Sequence, residues 1–235
     1  MSPIDLIFVD NEGCLVPSKG QPFPLDQLGI LGEWIRRHPN QLTICTGRST
    51  PYIEAISQAL GLVRSELPCI CEGGAVLYWP RTDRREPMAR AVDLACWSAH
   101  LAEMDFRVEP GKIACLSLYP EPPTTVSALF LAAEKHPNAR HFTISASKDA
   151  VDITRAGIDK AFGVRSVCSR LDIHPSRVLC IGDSQNDIAM MRIAGTTACP
   201  SNAAPSVKEI ADYISPFAAT HGVIDILNHY ESVIA

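Results

Sequence analysis

The sequence predicts an α/β fold: a mostly parallel sheet covered by helices on both faces, interrupted by a smaller α/β unit. Three observations predict it. Short apolar runs alternate with helix-period segments at both ends of the chain, as in a parallel sheet with crossover helices. Several of these runs stop at a polar residue, at Asp10, Thr46 and Asp183. Between them, residues 81–153 form a more polar and more interrupted stretch that does not extend the same sheet.

In chain order, Ile4 and the run 6–9 read as a buried strand, closed by Asp10-Asn11-Glu12-Gly13. Alone, that tetrapeptide suits a capped strand end with a turn, and equally a nucleophile or a metal ligand. Pro17, Gly20, Pro22 and Pro24 punctuate a loop. Leu28, Leu31, Trp34 and Ile35 predict a helix over 25–37, ending before Pro39. Residues 41–45 form a second strand, broken by Thr46-Gly47-Arg48-Ser49. Pro51 after Thr50 opens a helix that Gly61 stops. Runs 67–71 and 75–79 are further strands, joined by Glu72-Gly73-Gly74, and Pro80 then opens a polar segment.

The middle block reads as helix 88–104, strand 112–119, helix 124–136 and strand 142–146, a βαβ-like unit ending near Ile153. Alternation returns with helix 158–171, strand 177–181 and the turn Gly182-Asp183-Ser184-Gln185-Asn186-Asp187, which opens a helix to about 193. Strand 196–199, helix 204–210, strand 212–214 and helix 223–230 close the chain. The expected division is therefore 1–80 with 154–235 as the core, and 81–153 as the inserted unit.

Composition narrows the function classes. The 235 residues carry 21 basic and 26 acidic side chains, a formal charge of −5. Arg81, Arg84 and Arg85 are interleaved with Asp83 and Glu86, so no nucleic-acid partner is expected. No apolar run is long enough to span a bilayer, and Asp5 and Asp10 interrupt the N-terminal stretch, so no membrane partner and a cytoplasmic location are expected. The nine cysteines mostly sit in strand-like runs (Cys45, Cys115, Cys180), and Cys69-Ile70-Cys71 is too tight for a zinc knuckle. They read as small core residues.

In a parallel sheet the strand ends converge on one crevice. That crevice would hold Asp10, Glu12, Asp183 and Asp187, with the Thr46 hydroxyl and Lys160 at a helix start. So many carboxylates together require a cation. Oxygen ligands with room for water and phosphate suit Mg²⁺.

These residues resemble the haloacid dehalogenase (HAD) superfamily of phosphotransferases. Asp10-Asn11-Glu12-Gly13 is similar to its first motif, Thr46-Gly47-Arg48 to the second, Lys160 to the third, and the 182–187 turn to the fourth. Asn202-Ala203 and Gly222-Val223 are similar to the Cof-type, or IIB, sugar phosphatases, whose α/β cap lies between the second and third motifs.

The resemblance implies a Rossmann-like core with an inserted cap, and a Mg²⁺-dependent phosphatase acting on a small phosphorylated metabolite, a sugar or polyol phosphate, as monomer or homodimer. It implies Asp10 as nucleophile, forming an aspartyl phosphate, and Glu12 as acid and base. Thr46, Gly47, Lys160 and Asn186 would bind phosphate. Asp10, the Glu12 backbone carbonyl and Asp183 would hold the metal, with Asp187 acting through water or bracing Asp183. Arg48, Lys148 and His141 are the expected substrate contacts.

Two departures stand out. Glu12 replaces the usual Asp, and its extra methylene moves the carboxyl by about 1.5 Å, a displacement that can cost on the order of 10²-fold in rate. Gly73 replaces an Asn of the usual Glu-Asn-Gly-Ala. A phosphomutase, or a ligand-binding relative without turnover, is the alternative reading.

Overall fold

The computed structural model describes residues 3–17, 20–147 and 149–234. Five parallel strands form the main sheet: β1 (Leu6–Val9), β2 (Leu42–Ile44), β10 (Val178–Ile181), β11 (Thr196–Cys199) and β12 (Tyr213–Ile214), in the order β12-β11-β10-β1-β2. The two ends of the chain meet at its centre, where β1 pairs with β10 from Leu6↔Val178 to Val9↔Ile181.

Strand periodicity explains the layering. Successive side chains of a strand point to opposite faces. Ile7 and Val9 enter one core with Leu31, Trp34, Ile53, Leu60, Val223 and Ile226, residues of α1 (Leu25–Arg37), α2 (Thr50–Leu60) and α8 (Ala219–Tyr230). Leu6 and Phe8 enter a second core with Val164, Val167, Met190 and Met191, from α5 (Lys160–Leu171) and α6 (Ile188–Met191). Each buried Leu, Ile or Phe contributes roughly 1.5–3 kcal/mol. The central strands are therefore held from both faces, and the loops at their carboxyl ends have a rigid base.

β3 (Cys69–Cys71), β4 (Val76–Trp79) and β5 (Arg84–Pro87) form a three-stranded antiparallel sheet beside β2, joined to it at Cys45↔Ile70. A third sheet has β6 (Phe106–Val108), β7 (Leu116–Pro120), β8 (Phe142–Ala146) and β9 (Val151–Arg155) in the order β6-β7-β9-β8, all antiparallel. It has its own core: Trp97 from α3 (Leu94–His100) and Leu101 just after it, Leu129 and Ala133 from α4 (Val126–Glu134), and Leu116, Leu118, Val151 and Ile153 from the sheet. The helix expected over 88–104 is reduced to α3.

Three strands have no counterpart in the sequence reading. β5 is Arg-Arg-Glu-Pro, exposed and charged, and its place comes from backbone pairing with β4. β6 is only three residues long. β9 alternates Val151 and Ile153 with Asp152 and Thr154, and lies centrally between β7 and β8. This pairing makes the middle unit antiparallel rather than βαβ-like.

Candidate active site

The carboxyl ends of β1, β2 and β10 open onto a crevice of about 190 Å³. Asp10, directly after β1, is 6% exposed. Lys160, the first residue of α5, is 2% exposed and reaches up beneath it. Asp159 caps that helix by accepting from the Phe162 amide at 2.7 Å, which fixes where the helix begins. The Lys160 ammonium donates to Asp10 Oδ1 at 2.7 Å and to Asp187 Oδ1 at 2.5 Å.

Asp187 is fully buried, and its second oxygen is also occupied. Oδ2 accepts from the Asp183 amide at 3.1 Å, the Ser184 amide at 3.0 Å and the Ser184 hydroxyl at 3.0 Å. Asp187 thus braces the turn that carries Asp183. Gly182 makes this possible, because a Cβ there would stand 2.4 Å from Asp187 Cβ. Gly13 is required on the opposite side: its φ is +81° and a Cβ would lie 2.1 Å from Asp183 Oδ2.

Asp10, Asp183 and Asp187 present oxygens within 4.8 Å of one another. Among the described residues one ammonium stands against three carboxylates, so full ionisation of the floor would leave two surplus negative charges. Burial, reinforced by the neighbouring Asp187 charge and only partly offset by Lys160, pushes the Asp10 carboxyl up to about 7. Burial and the Asp10 and Asp187 charges push Asp183 up to about 8. Burial works against the Lys160 charge, yet the Asp10 and Asp187 carboxylates hold the ammonium well above its ordinary range. Asp183 Oδ1 is buried without a hydrogen-bond partner. An oxygen-rich, electron-rich, partly unsatisfied floor of this kind fits a hard divalent cation.

Of the other expected residues, Glu12, Thr46, Gly47, Arg48 and Asn186 all line the crevice. Arg48 donates from Nε to Glu12 Oε2 at 2.8 Å and from Nη2 to Oε1, a two-pronged grip. Its Nη1 donates to Glu109 Oε1 at 3.3 Å, and the guanidinium lies 4.8 Å above the Tyr52 ring. The Asn186 carbonyl accepts from the Ser184 hydroxyl at 2.6 Å.

His141 requires correction as a crevice residue. It ends the 3-10 turn before the edge strand β8 and lines a separate hollow with Cys96, Trp97, His136 and Phe142, on the helix side of the third sheet. Lys148 lies outside the described residues.

The crevice wall opposite the floor is made of residues that the sequence reading did not single out. Ser117 and Tyr119 on β7 and Asp152 on β9 point into it, alternating with Leu116, Leu118, Val151 and Ile153 of the core behind. Lys112, its side chain only 3% exposed, is paired with Glu109 at 3.3 Å and Asp152 at 3.5 Å. Fully buried Glu72 accepts from the amides of Ile113, Ala114 and Cys115 at 2.9–3.2 Å, fixing the segment after Lys112. Alternation of Ser117, Tyr119 and Asp152 with apolar neighbours was the available signal. It needs the β7–β9 pairing to be read.

A sequence model of the haloacid dehalogenase-like hydrolases matches residues 105–227. The chain belongs to this family. It is 27% identical over 227 residues to a phosphoglycolate phosphatase of Haloarcula marismortui, covering 95% of this chain and 96% of the relative. Among solved structures, this HAD hydrolase is similar to a Thermoplasma acidophilum protein at a TM-score of 0.81 and 20% identity, with 97% and 99% of the two chains covered. It is also similar to the sucrose-phosphatase of Synechocystis at 0.70 and 17%, with 98% and 99% covered. Among the described residues, no helix is long and apolar enough to cross a membrane.

Proposed function

We propose that this HAD hydrolase is a Mg²⁺-dependent phosphatase that cleaves a small phosphorylated metabolite, a sugar or polyol phosphate, through a phosphoryl-aspartate on Asp10. The observation that supports this best is Asp10 itself: a buried carboxylate at a strand end, held by Lys160 at 2.7 Å, opening onto a crevice beside the unsatisfied oxygen of Asp183. The phosphatase reading also rests on the family and on the Haloarcula relative.

In this reading an Asp10 oxygen attacks phosphorus as the bond to the leaving oxygen breaks, and Glu12 gives that oxygen a proton. Water then attacks the phosphoryl-aspartate. Glu12 takes the water's proton, phosphate departs and the Asp10 carboxylate is restored. Lys160 keeps Asp10 in place through both steps. The Thr46 hydroxyl, the Gly47 amide and Asn186 grip the phosphoryl oxygens. Asp10, Asp183 and the Glu12 backbone carbonyl would hold Mg²⁺, which supplies charge neutralisation for phosphoryl transfer. Asp187 acts on Asp183 rather than on the ion, since its oxygens are already taken. The inserted unit over 81–153 serves as a cap that excludes bulk water. Arg48, occupied by Glu12 and Glu109, positions Glu12.

The test is a phosphate-release screen over phosphorylated metabolites, with and without Mg²⁺. Release should require the metal and vanish in Asp10→Asn. Equal release by that variant would remove Asp10 from the mechanism.

A further inference from the structure

The wall opposite the nucleophile carries a chemical preference of its own. Among the described residues its cations are Arg48 and Lys112, and both are already paired. Arg48 bonds Glu12 and Glu109, while Lys112 bonds Glu109 and Asp152. Asp149 adds another carboxylate to the same lining. Among the described residues, Glu109, Asp149 and Asp152 face Arg48 and Lys112, with Glu12 shared with the floor, so carboxylates outnumber cations on the described part of the leaving-group side.

The arrangement is also built rather than incidental. Ser117 and Asp152 are register partners across β7 and β9, and the Ser117 hydroxyl donates to Asp152 Oδ1. Lys112 donates to that same hydroxyl, and Tyr119 donates to Glu109 Oε2 at 3.2 Å. The segment bearing Lys112 is fixed from the core by the Glu72 carboxylate. Asp152 Oδ2 lies 3.9 Å from where a Cβ on Gly47 would be, so it stands at the edge of the expected phosphate grip.

We infer that Asp152, with Glu109, determines specificity by making this wall a hydrogen-bond acceptor surface, which selects an uncharged, hydroxyl-bearing leaving group over a carboxylate-bearing one. Carboxylate oxygens accept hydrogen bonds from hydroxyls and repel a second carboxylate. Juxtaposed like charges in a partly desolvated crevice cost several kcal/mol. A substrate such as phosphoglycolate, which its Haloarcula relative is named for, would set its carboxylate against this wall. A polyol phosphate would donate to it. The inference rests on the phosphatase reading above and sharpens its substrate class.

The experiment measures kcat/KM with Mg²⁺ for p-nitrophenyl phosphate, 2-phosphoglycolate, glycerol 3-phosphate and a five-carbon polyol 5-phosphate, using the full chain. The expected result is that the better polyol phosphate exceeds phosphoglycolate by at least about tenfold. In Asp152→Asn, which frees Lys112 from one counter-charge, that ratio should fall by about tenfold or more, mainly through KM. A shared fall in all substrates would be a structural effect and would contradict the inference, as would an unchanged ratio. Because the wild-type ratio is itself a test, a variant that fails to fold leaves the inference exposed to refutation. If p-nitrophenyl phosphate is hydrolysed but polyol phosphates are cleaved no faster than phosphoglycolate, this inference alone falls. If no substrate releases phosphate, the phosphatase reading falls with it.

Discussion

The floor and the wall of the crevice are both networks of carboxylates and cations, yet they are built differently. The floor hangs on the central parallel strands. Asp10 follows β1, Asp183 follows β10, and Lys160 opens a capped helix, so backbone geometry fixes each group before side chains interact. The wall comes from an antiparallel sheet with a separate core, and its order depends on side chains: Glu72 holds the backbone after Lys112, and side-chain pairs then run from Lys112 through Glu109 to Arg48 and Glu12. The lesson is a division of labour. In the proposed reading the floor carries a reaction that tolerates no displacement, and the wall carries recognition that can vary.

The largest expected effect lies where the two meet. Glu12→Ala should lower turnover of alkyl phosphates by about 10²–10⁴-fold, the range for losing a general acid and base. Glu12→Asp should keep or raise turnover. Steady-state assays decide, and unchanged turnover in Glu12→Ala would take Glu12 out of the chemistry.

Next comes the floor's cation. Lys160→Met leaves Asp10 and Asp187 buried without their shared partner, and breaking such a buried pair costs about 3–5 kcal/mol. Urea unfolding without metal should show that loss, and added Mg²⁺ should recover part of it. A variant as stable as the parent would contradict the charge balance described for the floor.

A pH series separates the two regions further. Without metal, folded Asp10 and Asp183 hold protons up to about 7 and about 8, whereas the unfolded chain releases them near 3.8. The folded state then binds more protons in this window, so stability falls as pH rises through it. The metal-free melting temperature should therefore drop between pH 4 and pH 8. Mg²⁺ replaces those protons, and saturating metal should flatten the drop. Parallel curves with and without metal would mean that the floor does not bind the ion.

The smallest effect belongs to the wall's anchor. Glu72→Gln keeps the shape but weakens the charge-assisted bonds from the Ile113, Ala114 and Cys115 amides, at about 1–3 kcal/mol. Its kinetic signature should be a raised KM with kcat little changed.

This contrast also explains what could be read from the sequence. Asp10, Thr46, Lys160 and Asp183 each stand where an apolar run or a helix begins or ends, so their convergence follows from parallel topology alone. β8 and β11 were legible over their full lengths, because short apolar or β-branched runs bounded by turn residues mark strands. The wall was not legible. β9 hides its apolar side behind Asp152 and Arg155, β5 is almost wholly charged, and Lys112 pairs with Asp152 far away in the chain as well as with Glu109 nearby. His141 shows the same limit from the other side: the resemblance placed it in the cap as a substrate contact, but the strand it precedes lies at the edge of the sheet.

The central claim is that the floor performs the chemistry on Asp10 while Glu12 manages the protons. The most direct measurement is to mix Glu12→Ala with phosphate-labelled p-nitrophenyl phosphate and Mg²⁺, quench in acid, and map the label. This leaving group needs no proton, so the first step should proceed and the second should stall, leaving covalent phosphate on the peptide that contains Asp10 and none in the Asp10→Asn counterpart. Covalent label on a different residue, or no covalent label while p-nitrophenol is still released, would contradict the account.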